Sequence, residues 1–221
     1  MNHKKVERIM QKNGLKALCP KEKYSSYKGD NGFEKKNLLL KATIKNGVKV
    51  YVRDFKTIGP NKKWTTDVSE FKISAGKLYL SPILDMYDGS IISYNISISP
   101  NFELVDKMLK EALNQYKNLD GLIIHSDQGW PYQMESWRIK LKDRNILQSF
   151  SRKGNCMDNS LMENFFGIMK KEMFYNQEFK SLDELKRKMI DYINYYNTKR
   201  INKKRGGLTP IEYRNKYYSH K

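Results

Sequence analysis

The order of strand-like and helix-like segments constrains the fold of this chain of 221 residues more than any other feature. Three alternating or β-branched segments come first, and helical segments then alternate with two shorter strands. The predicted strands are residues 65–71, 77–86, 91–98, 121–126 and 147–150. A helix capped at Ser99 or Asn101 precedes predicted helices at 131–144, 159–173 and 182–197. A meander followed by such alternation predicts an α/β fold, with a mixed five-stranded sheet and helices on both faces.

The segments before this block are less regular. Residues 2–13 predict a short helix that carries a narrow apolar stripe on a basic surface. Residues 16–36 predict a polar linker. Within residues 38–58, Val48, Val50 and Val52 alternate and favour a strand, although the segment as a whole is ambiguous.

The formal charge of +18 is unevenly distributed along the chain. Residues 1–66 contain 17 Lys and Arg against 5 Asp and Glu, residues 67–163 contain 11 against 13, and residues 164–221 contain 14 against 6. Basic flanks suit a polyanion such as nucleic acid, whereas solubility or a Lys-rich codon bias is the alternative.

Composition also excludes several classes of protein. The two cysteines form no disulfide framework and no zinc cluster. No apolar run approaches the roughly 20 residues that a membrane span needs. We therefore expect a cytoplasmic protein without a membrane association.

Three carboxylates stand out by their position in the pattern. Asp127 directly follows the apolar strand at 121–126, and ligand groups in α/β sheets lie beyond the carboxyl ends of strands. Asp67 interrupts an otherwise strand-like segment, although strands are depleted in Asp. Glu163 lies on the predicted helix 159–173, away from the apolar face. Each residue alone has an ordinary alternative, as a turn, edge or solvated side chain.

Together, these three residues favour a divalent cation site. Hard carboxylate oxygens suit Mg²⁺ or Mn²⁺. Two such ions about 4 Å apart can stabilise the attacking and leaving oxygens of a phosphoryl displacement. An acidic centre between basic flanks would then combine metal ions with bound DNA.

The surrounding motifs identify a family. Along the chain lie KWTTDVSEF, HSDQG, SRKGNCMDNSLMENFFGIMKKE and YNTKRINKKRGGLTPIEYR, and 35 residues separate Asp127 from Glu163. This pattern resembles the OrfB transposases of insertion sequence family three, within the retroviral integrase superfamily, over residues 2–214. Two positions depart from the family pattern: Asn202 replaces a usual histidine and Pro131 a usual glutamine.

The resemblance implies an RNase H-like fold, a catalytic triad of Asp67, Asp127 and Glu163, and two Mg²⁺ ions, with Mn²⁺ as a substitute. It implies DNA strand cleavage and 3′-hydroxyl strand transfer, and the partners are element and target DNA, the upstream OrfA product and further copies of the chain. We expect a partial helix-turn-helix and basic linker at 1–58, a catalytic core at 59–175, and a core helix and basic tail at 176–221. The short N-terminal helix also favours a truncated copy.

Other residues are candidates for supporting roles. His125 shares a strand face with Asp127, so it could orient a carboxylate or approach the scissile phosphate; a buried histidine bonded to the backbone is the alternative. Asn159 and Lys170 share the face of Glu163. Predicted DNA contacts are Lys170, Lys171, Arg200, Lys203, Lys204 and Arg205, with a solvated surface as the alternative. Two other functions stay open: an RNase H-like nuclease without strand transfer, and a non-transposing DNA-binding remnant.

Overall fold

The computed structural model describes residues 2–15 and 35–219. The strands are β1 Leu40–Lys45, β2 Val48–Arg53, β3 Lys63–Thr66, β4 Ser69–Ile73, β5 Gly76–Asp85, β6 Ile91–Ser97, β7 Ile123–Ser126 and β8 Leu147–Phe150. The helices are α1 His3–Lys12, α2 Phe102–Gln115, α3 Trp130–Gln133, α4 Glu135–Lys142, α5 Ser160–Met169, α6 Leu182–Thr198 and α7 Pro210–Ser219.

Six of the strands form one mixed sheet. β5 pairs antiparallel with β6 on one side and with β3 and β4 on the other. β3 pairs parallel with β7, and β7 pairs parallel with β8. β3 and β4 pair with successive parts of the same edge of β5, so together they take the place of one strand. The sheet is therefore five strands wide, as the sequence predicts.

Two apolar cores lie on opposite faces of this sheet. On one face, Val105 and Met108 of α2 and Trp137 of α4 belong to the cluster that contains Trp64 and Ile124. On the other face, side chains of α5 and α6 pack against β4, β5 and β6, and they include Phe165, Met189 and Tyr196. Each large apolar side chain that is fully buried contributes about 1.5–3 kcal/mol of transfer free energy. The prediction of an α/β fold with helices on both faces is confirmed.

Local signals explain where several elements begin. The Asn101 side chain accepts a hydrogen bond from the Leu104 N–H, and the Ser181 hydroxyl accepts one from the Glu184 N–H. Asn101 is one of the two predicted N-caps of α2, and Ser181 is the N-cap of α6. β8 has its predicted bounds, and β5 and β6 form the predicted hairpin.

Other elements differ from the prediction. The strand predicted at 65–71 is broken at Asp67 and Val68, and the helix predicted at 131–144 is divided at Met134. The helix predicted at 159–173 consists of a 3₁₀ turn at Cys156–Asn159, α5, and a π-helical turn at Lys170–Phe174. Most of the predicted linker, residues 16–34, lies outside the described residues.

The N-terminal helix is amphipathic but buries no side chain. It begins after Asn2, whose side chain accepts a hydrogen bond from the Lys4 N–H. Within the described ranges, no helix combines the length and the apolar character that crossing a bilayer requires.

Residues after α6 fold onto the core instead of forming an extended tail. Arg214 of α7 is buried and donates from Nη2 to Asp85 at 2.6 Å and from Nε to Asp88 at 2.7 Å. Its Nη1 donates to the Tyr116 hydroxyl at 2.9 Å. These bonds fix α7 to the β5–β6 turn and to the residue that follows α2. Arg214 lies in a basic segment, so its sequence context does not distinguish this buried role from a solvated charge.

We expect Arg214→Met to destabilise the protein by about 3–5 kcal/mol, because it leaves Asp85 and Asp88 buried without a cation. Burial and the nearby Asp88 raise the pKa of Asp85 to about 6. Arg214 opposes this shift, so without it Asp85 should be protonated already above pH 6, and the destabilisation should be smallest at and below about pH 6. Thermal unfolding of Lys216→Met, an exposed change on the same helix, is the control. Equal melting temperatures for the two variants would contradict the assignment.

Candidate active site

Two aspartates lie at the carboxyl ends of adjacent parallel strands. Thr65 of β3 is in register with His125 of β7. Two residues further along each strand, the chain reaches Asp67 and Asp127. Parallel pairing therefore brings both carboxylates to one edge of the sheet, where ligands of α/β proteins bind.

Each aspartate is held by a backbone donor. Oδ1 of Asp67 accepts a hydrogen bond from the Val68 N–H at 2.8 Å, at the break between β3 and β4. Oδ1 of Asp127 accepts one from the Gly129 N–H at 2.8 Å. A Cβ atom at Gly129 would lie only 2.8 Å from the same oxygen. The φ of Gly129 is −58°, which any residue can adopt, so backbone conformation does not require glycine here. Glycine is required because a larger side chain would collide with the Asp127 carboxylate.

The third carboxylate comes from α5. Glu163 lies in the first turn of this helix, and its side chain is exposed. Asn159, which is buried just before α5, donates from Nδ2 to the Thr66 carbonyl at 3.2 Å and accepts a hydrogen bond from the Thr65 hydroxyl. Asn159 therefore ties the start of the Glu163 helix to the strand that carries Asp67.

The three carboxylates line one pocket of about 280 Å³. The same pocket is lined by Gln128, Ser151, Arg152, Lys153, Gly154, Asn155 and Asn159. Of these, only Asn159 was predicted from the sequence. The others lie in the motifs HSDQG and SRKGNCMDN, which could have indicated them.

The electrostatics of the pocket disfavour a full set of negative charges. Burial and the charges of Asp127 and Glu163 raise the pKa of Asp67 to about 8, against the lowering effects of the Val68 N–H and Lys170. Burial also raises the pKa of Asp127, which the Gly129 N–H opposes. Nearby carboxylates that lack a cation raise each other's pKa in this way.

The carboxylates share the pocket without forming a closed ligand set. In the part of the chain that the structure describes, no three His, Cys, Asp or Glu side chains are grouped so that they could hold a metal ion as they stand. Repulsion between like charges gives a physical reason for this separation.

A cluster around Asp158 fixes the loop at the mouth of the pocket. Asp158 is buried and accepts hydrogen bonds from Arg152 Nε and Nη2, both at 2.9 Å, and from Arg53 Nε at 2.7 Å. Burial raises the pKa of Asp158, but these arginines outweigh that effect and hold it well below its usual value. Arg53 also donates to Asn155 at 2.9 Å. The cluster thereby orients residues 152–155.

His125 does not line the pocket. It is fully buried, and its ring nitrogens lie 2.8 Å from the Ser149 hydroxyl and 3.0 Å from the Ser151 hydroxyl. Burial lowers its pKa to about 4, so the ring is neutral at pH 7. His125 thus links β7 to β8 and to Ser151 through side chains, and its ring also interacts with the backbone of Asp158.

The predicted DNA contacts have different surroundings. Lys170 is half-buried, with its Nζ atom 5.1 Å from the centre of the Phe71 ring, and burial lowers its pKa. Arg200 forms an ion pair with Glu172 at 2.7 Å. Arg205 is half-buried and donates to the Asp88 carbonyl at 3.0 Å.

The remaining predicted contacts are exposed: Lys171, Lys203 and Lys204. Lys203 and Lys204 line a groove of about 620 Å³ with Arg200 and Arg205, beside Asn164 of α5. The groove thus lies next to Glu163 along the chain. DNA contact by all six basic residues stays a prediction.

Comparisons with known proteins agree with this geometry. One integrase core domain model matches residues 58–156, and a second matches residues 163–218. The catalytic core of human T-lymphotropic virus 2 integrase, solved as a dimeric form with magnesium, has a TM-score of 0.57 at 18% identity, over 72% of this chain and 99% of that chain. The core of bovine immunodeficiency virus integrase has a TM-score of 0.55 at 17% identity, over 72% of this chain and 97% of that chain. The fold is that of an RNase H-like integrase core.

Relatives at higher identity define the family. A transposase-like protein of Haemophilus influenzae is 47% identical over 97% of this chain and 93% of its own length. The putative transposase InsK of element IS150 from Escherichia coli is 44% identical, over 99% of this chain and 73% of its own length. InsF of element IS3A from the same species is 30% identical, over 97% and 71%. The chain belongs to the transposases of the IS3 family.

The raised pKa of Asp67 makes stability depend on pH. Between about pH 4 and pH 8, the folded protein keeps a proton on Asp67 that the unfolded chain has lost. Without divalent cations, stability should therefore fall as pH rises through this window, by up to about 1.4 kcal/mol per pH unit from this group. Asp67→Asn should remove that contribution. Chemical denaturation across the window, with the exposed Asp120→Asn as control, measures it; equal slopes for wild type and Asp67→Asn would contradict it.

The close approach of Gly129 to Asp127 predicts a loss of activity on substitution. Gly129→Ala should displace the Asp127 carboxylate and lower DNA cleavage roughly tenfold to a hundredfold, with the fold preserved. The matched control is Gly167→Ala, since a Cβ atom there meets nothing within 4 Å. Cleavage rates and melting temperatures of both variants decide the matter, and wild-type cleavage by Gly129→Ala would refute the role.

Proposed function

We propose that Asp67, Asp127 and Glu163 are the catalytic carboxylates of a metal-dependent transposase that cleaves DNA and transfers the resulting 3′-hydroxyl to a new phosphodiester. One contrast between the acidic residues carries this proposal. The other four buried or nearly buried aspartates of the described chain each have a cationic partner: Asp85 and Asp88 have Arg214, Asp106 has Lys110 and Lys140, and Asp158 has Arg53 and Arg152. Asp67 and Asp127 accept backbone hydrogen bonds but form no such ion pair within residues 2–15 and 35–219.

The donor set fits a hard divalent cation. Carboxylate oxygens are preferred ligands of Mg²⁺ and Mn²⁺. Lys170 is near enough to lower the pKa of Asp67, but among the described residues neither Asp67 nor Asp127 forms an ion pair with a Lys or Arg side chain. Asp67, Asp127 and Glu163 would hold the metal. When bound, the metal supplies Lewis acid activation and neutralises negative charge at the reacting phosphate.

The residues of the chain would supply binding and orientation. Lys153 at the pocket mouth would provide positive charge for the phosphates on either side of the scissile bond, and Arg152, which pairs with Asp158, would orient the loop that carries it. The Gly129 N–H and the Val68 N–H hold the two aspartates in fixed orientations. Asn159 sets the position of Glu163 relative to Asp67.

The reaction would proceed in two displacements at phosphorus. In the first, the oxygen of water bonds to the scissile phosphorus and the 3′-oxygen leaves, which produces a free 3′-hydroxyl. In the second, that hydroxyl attacks another phosphodiester, and the 3′-oxygen of the attacked strand leaves. Neither step needs a covalent enzyme intermediate.

Partners of the transposase are part of the same proposal. Element ends and target DNA are the substrates, and further copies of the chain would assemble on them. The OrfA product of the same element would supply recognition of the DNA ends. Gel filtration of the chain with and without OrfA and DNA tests these associations.

We expect Asp67→Asn, Asp127→Asn and Glu163→Gln each to lower Mg²⁺-dependent cleavage by roughly a hundredfold or more, since loss of a metal ligand exceeds the effect of outer residues. Each change is close in shape, so the fold should persist. Glu178→Gln, an exposed change, is the control. Near-normal cleavage by any of the three variants would remove that residue from the site.

Two alternatives predict different products. A nuclease without strand transfer would cleave DNA but would not join a supplied 3′-hydroxyl end to a second duplex. A non-transposing remnant would bind DNA and do neither. A joining assay with a labelled donor end separates all three functions.

A further inference from the structure

The β1–β2 hairpin, residues 40–53, is not explained by the reaction above. It precedes both ranges that the integrase core models match. The two strands pair over their whole length, from Leu40 with Arg53 to Lys45 with Val48. The turn between them is tight, since Asn46 and Gly47 both have positive φ, at 52° and 75°. This is the turn type that two-residue hairpins favour.

The hairpin buries none of its side chains in the core. Apolar residues occur on both faces, and near the tip Ile44 is 77% exposed and Val48 is 62% exposed. A two-stranded ribbon alone is marginally stable in water. An ordered ribbon with exposed apolar side chains therefore indicates a binding surface.

The charge of the ribbon selects its partner. It carries Lys41, Lys45, Lys49 and Arg53 and no acidic residue. Lys41 pairs with Asp54 and Arg53 with Asp158 at the base of the ribbon, whereas the charges of Lys45 and Lys49 lie near the tip. A second copy of the chain would bring the same four cations to the interface and a net charge of +18, so self-association through this ribbon is opposed by repulsion. A polyanion is attracted by the same charges.

The base of the ribbon is attached to the rim of the active site. Arg53, the last residue of β2, donates to Asp158 and to Asn155. Asn155 and Arg152, which Asp158 also binds, line the carboxylate pocket. Six residues of strand extend about 20 Å, so the tip can reach DNA about six base pairs away from the pocket.

We propose that the β1–β2 hairpin is a DNA-binding arm that lies in a groove of the duplex beside the scissile phosphate. The major groove admits a two-stranded ribbon. In that position Lys45 and Lys49 contact phosphates, and Ile44 and Val48 contact the groove wall. This inference rests on the proposed function, because it takes DNA as the substrate of the pocket.

The test uses the full chain and a labelled duplex in a salt titration. The logarithm of the affinity falls with the logarithm of the salt concentration, and each lost phosphate contact makes this slope shallower by about 0.9. The double variant Lys45→Gln with Lys49→Gln should therefore have a slope that is shallower by about 1.8. Ile44→Ser with Val48→Ser should weaken binding and leave the slope unchanged, because apolar contacts release no counterions. All four side chains are exposed, so the melting temperature should not change.

The matched control is Lys117→Gln with Lys142→Gln. Both lysines are exposed and precede β7 and β8, at the end of the sheet opposite the carboxylates. The arm hypothesis would be overturned if the salt slope of the Lys45→Gln with Lys49→Gln variant were unchanged, or if it changed only as much as that of the control variant. An altered oligomeric state in sedimentation, with an unchanged slope, would instead assign the ribbon to a second copy. If the salt titration overturns the arm but the wild type still cleaves and joins DNA, the proposed function stands. If the wild type does not cleave DNA, the proposed function itself is refuted.

Discussion

The parallel pairing of β3 with β7 is the constraint on which the rest of the site depends. Its register places Thr65 beside His125, and this alone brings Asp67 and Asp127 together two residues later. A slip of one residue would turn every side chain of β3 to the other face of the sheet. Trp64 and Ile124 in the apolar core oppose such a slip. Core packing thus determines which carboxylates meet.

The same pairing has an electrostatic cost that the surrounding structure offsets. Asp67 and Asp127 repel one another, and burial adds to the cost of their charge. Rigid groups around them resist separation: Asn159 links α5 to β3, His125 links β7 to β8, and Asp158 fixes the pocket loop. Carboxylates that repel one another stay close only where such contacts hold them.

The strands of the sheet and the helices that pack on it could be predicted because each has an apolar periodicity within its own short segment. The sequence also contained a signal that was missed: Asn46-Gly47 between alternating residues is a strong indication of a hairpin. The low strand propensity of Asp was a signal at Asp67, but it did not predict that two strands, β3 and β4, would pair with successive parts of β5 on either side of a break. The role of Arg214 was equally hidden, because its partners Asp85 and Asp88 lie about 130 residues away in the chain.

The three carboxylates could be predicted from their motifs, whereas the residues that hold them could not. Arg53 and Asp158 are about 100 residues apart and meet only when the hairpin folds against the pocket loop. His125 shows the opposite case, since its position beside Asp127 suggested a functional role and its burial assigns it to the link between strands.

The most direct test of the carboxylate site is thermal unfolding at neutral pH with and without Mg²⁺, compared between the wild type and Asp67→Asn. A cation that binds only the folded protein stabilises it by roughly 2–3 kcal/mol at a concentration about a hundredfold above its dissociation constant. We expect Mg²⁺ to raise the melting temperature of the wild type, and to leave that of Asp67→Asn nearly unchanged. A wild-type melting temperature that does not respond to Mg²⁺ or Mn²⁺, or an equal increase in the variant, would contradict a metal site at Asp67.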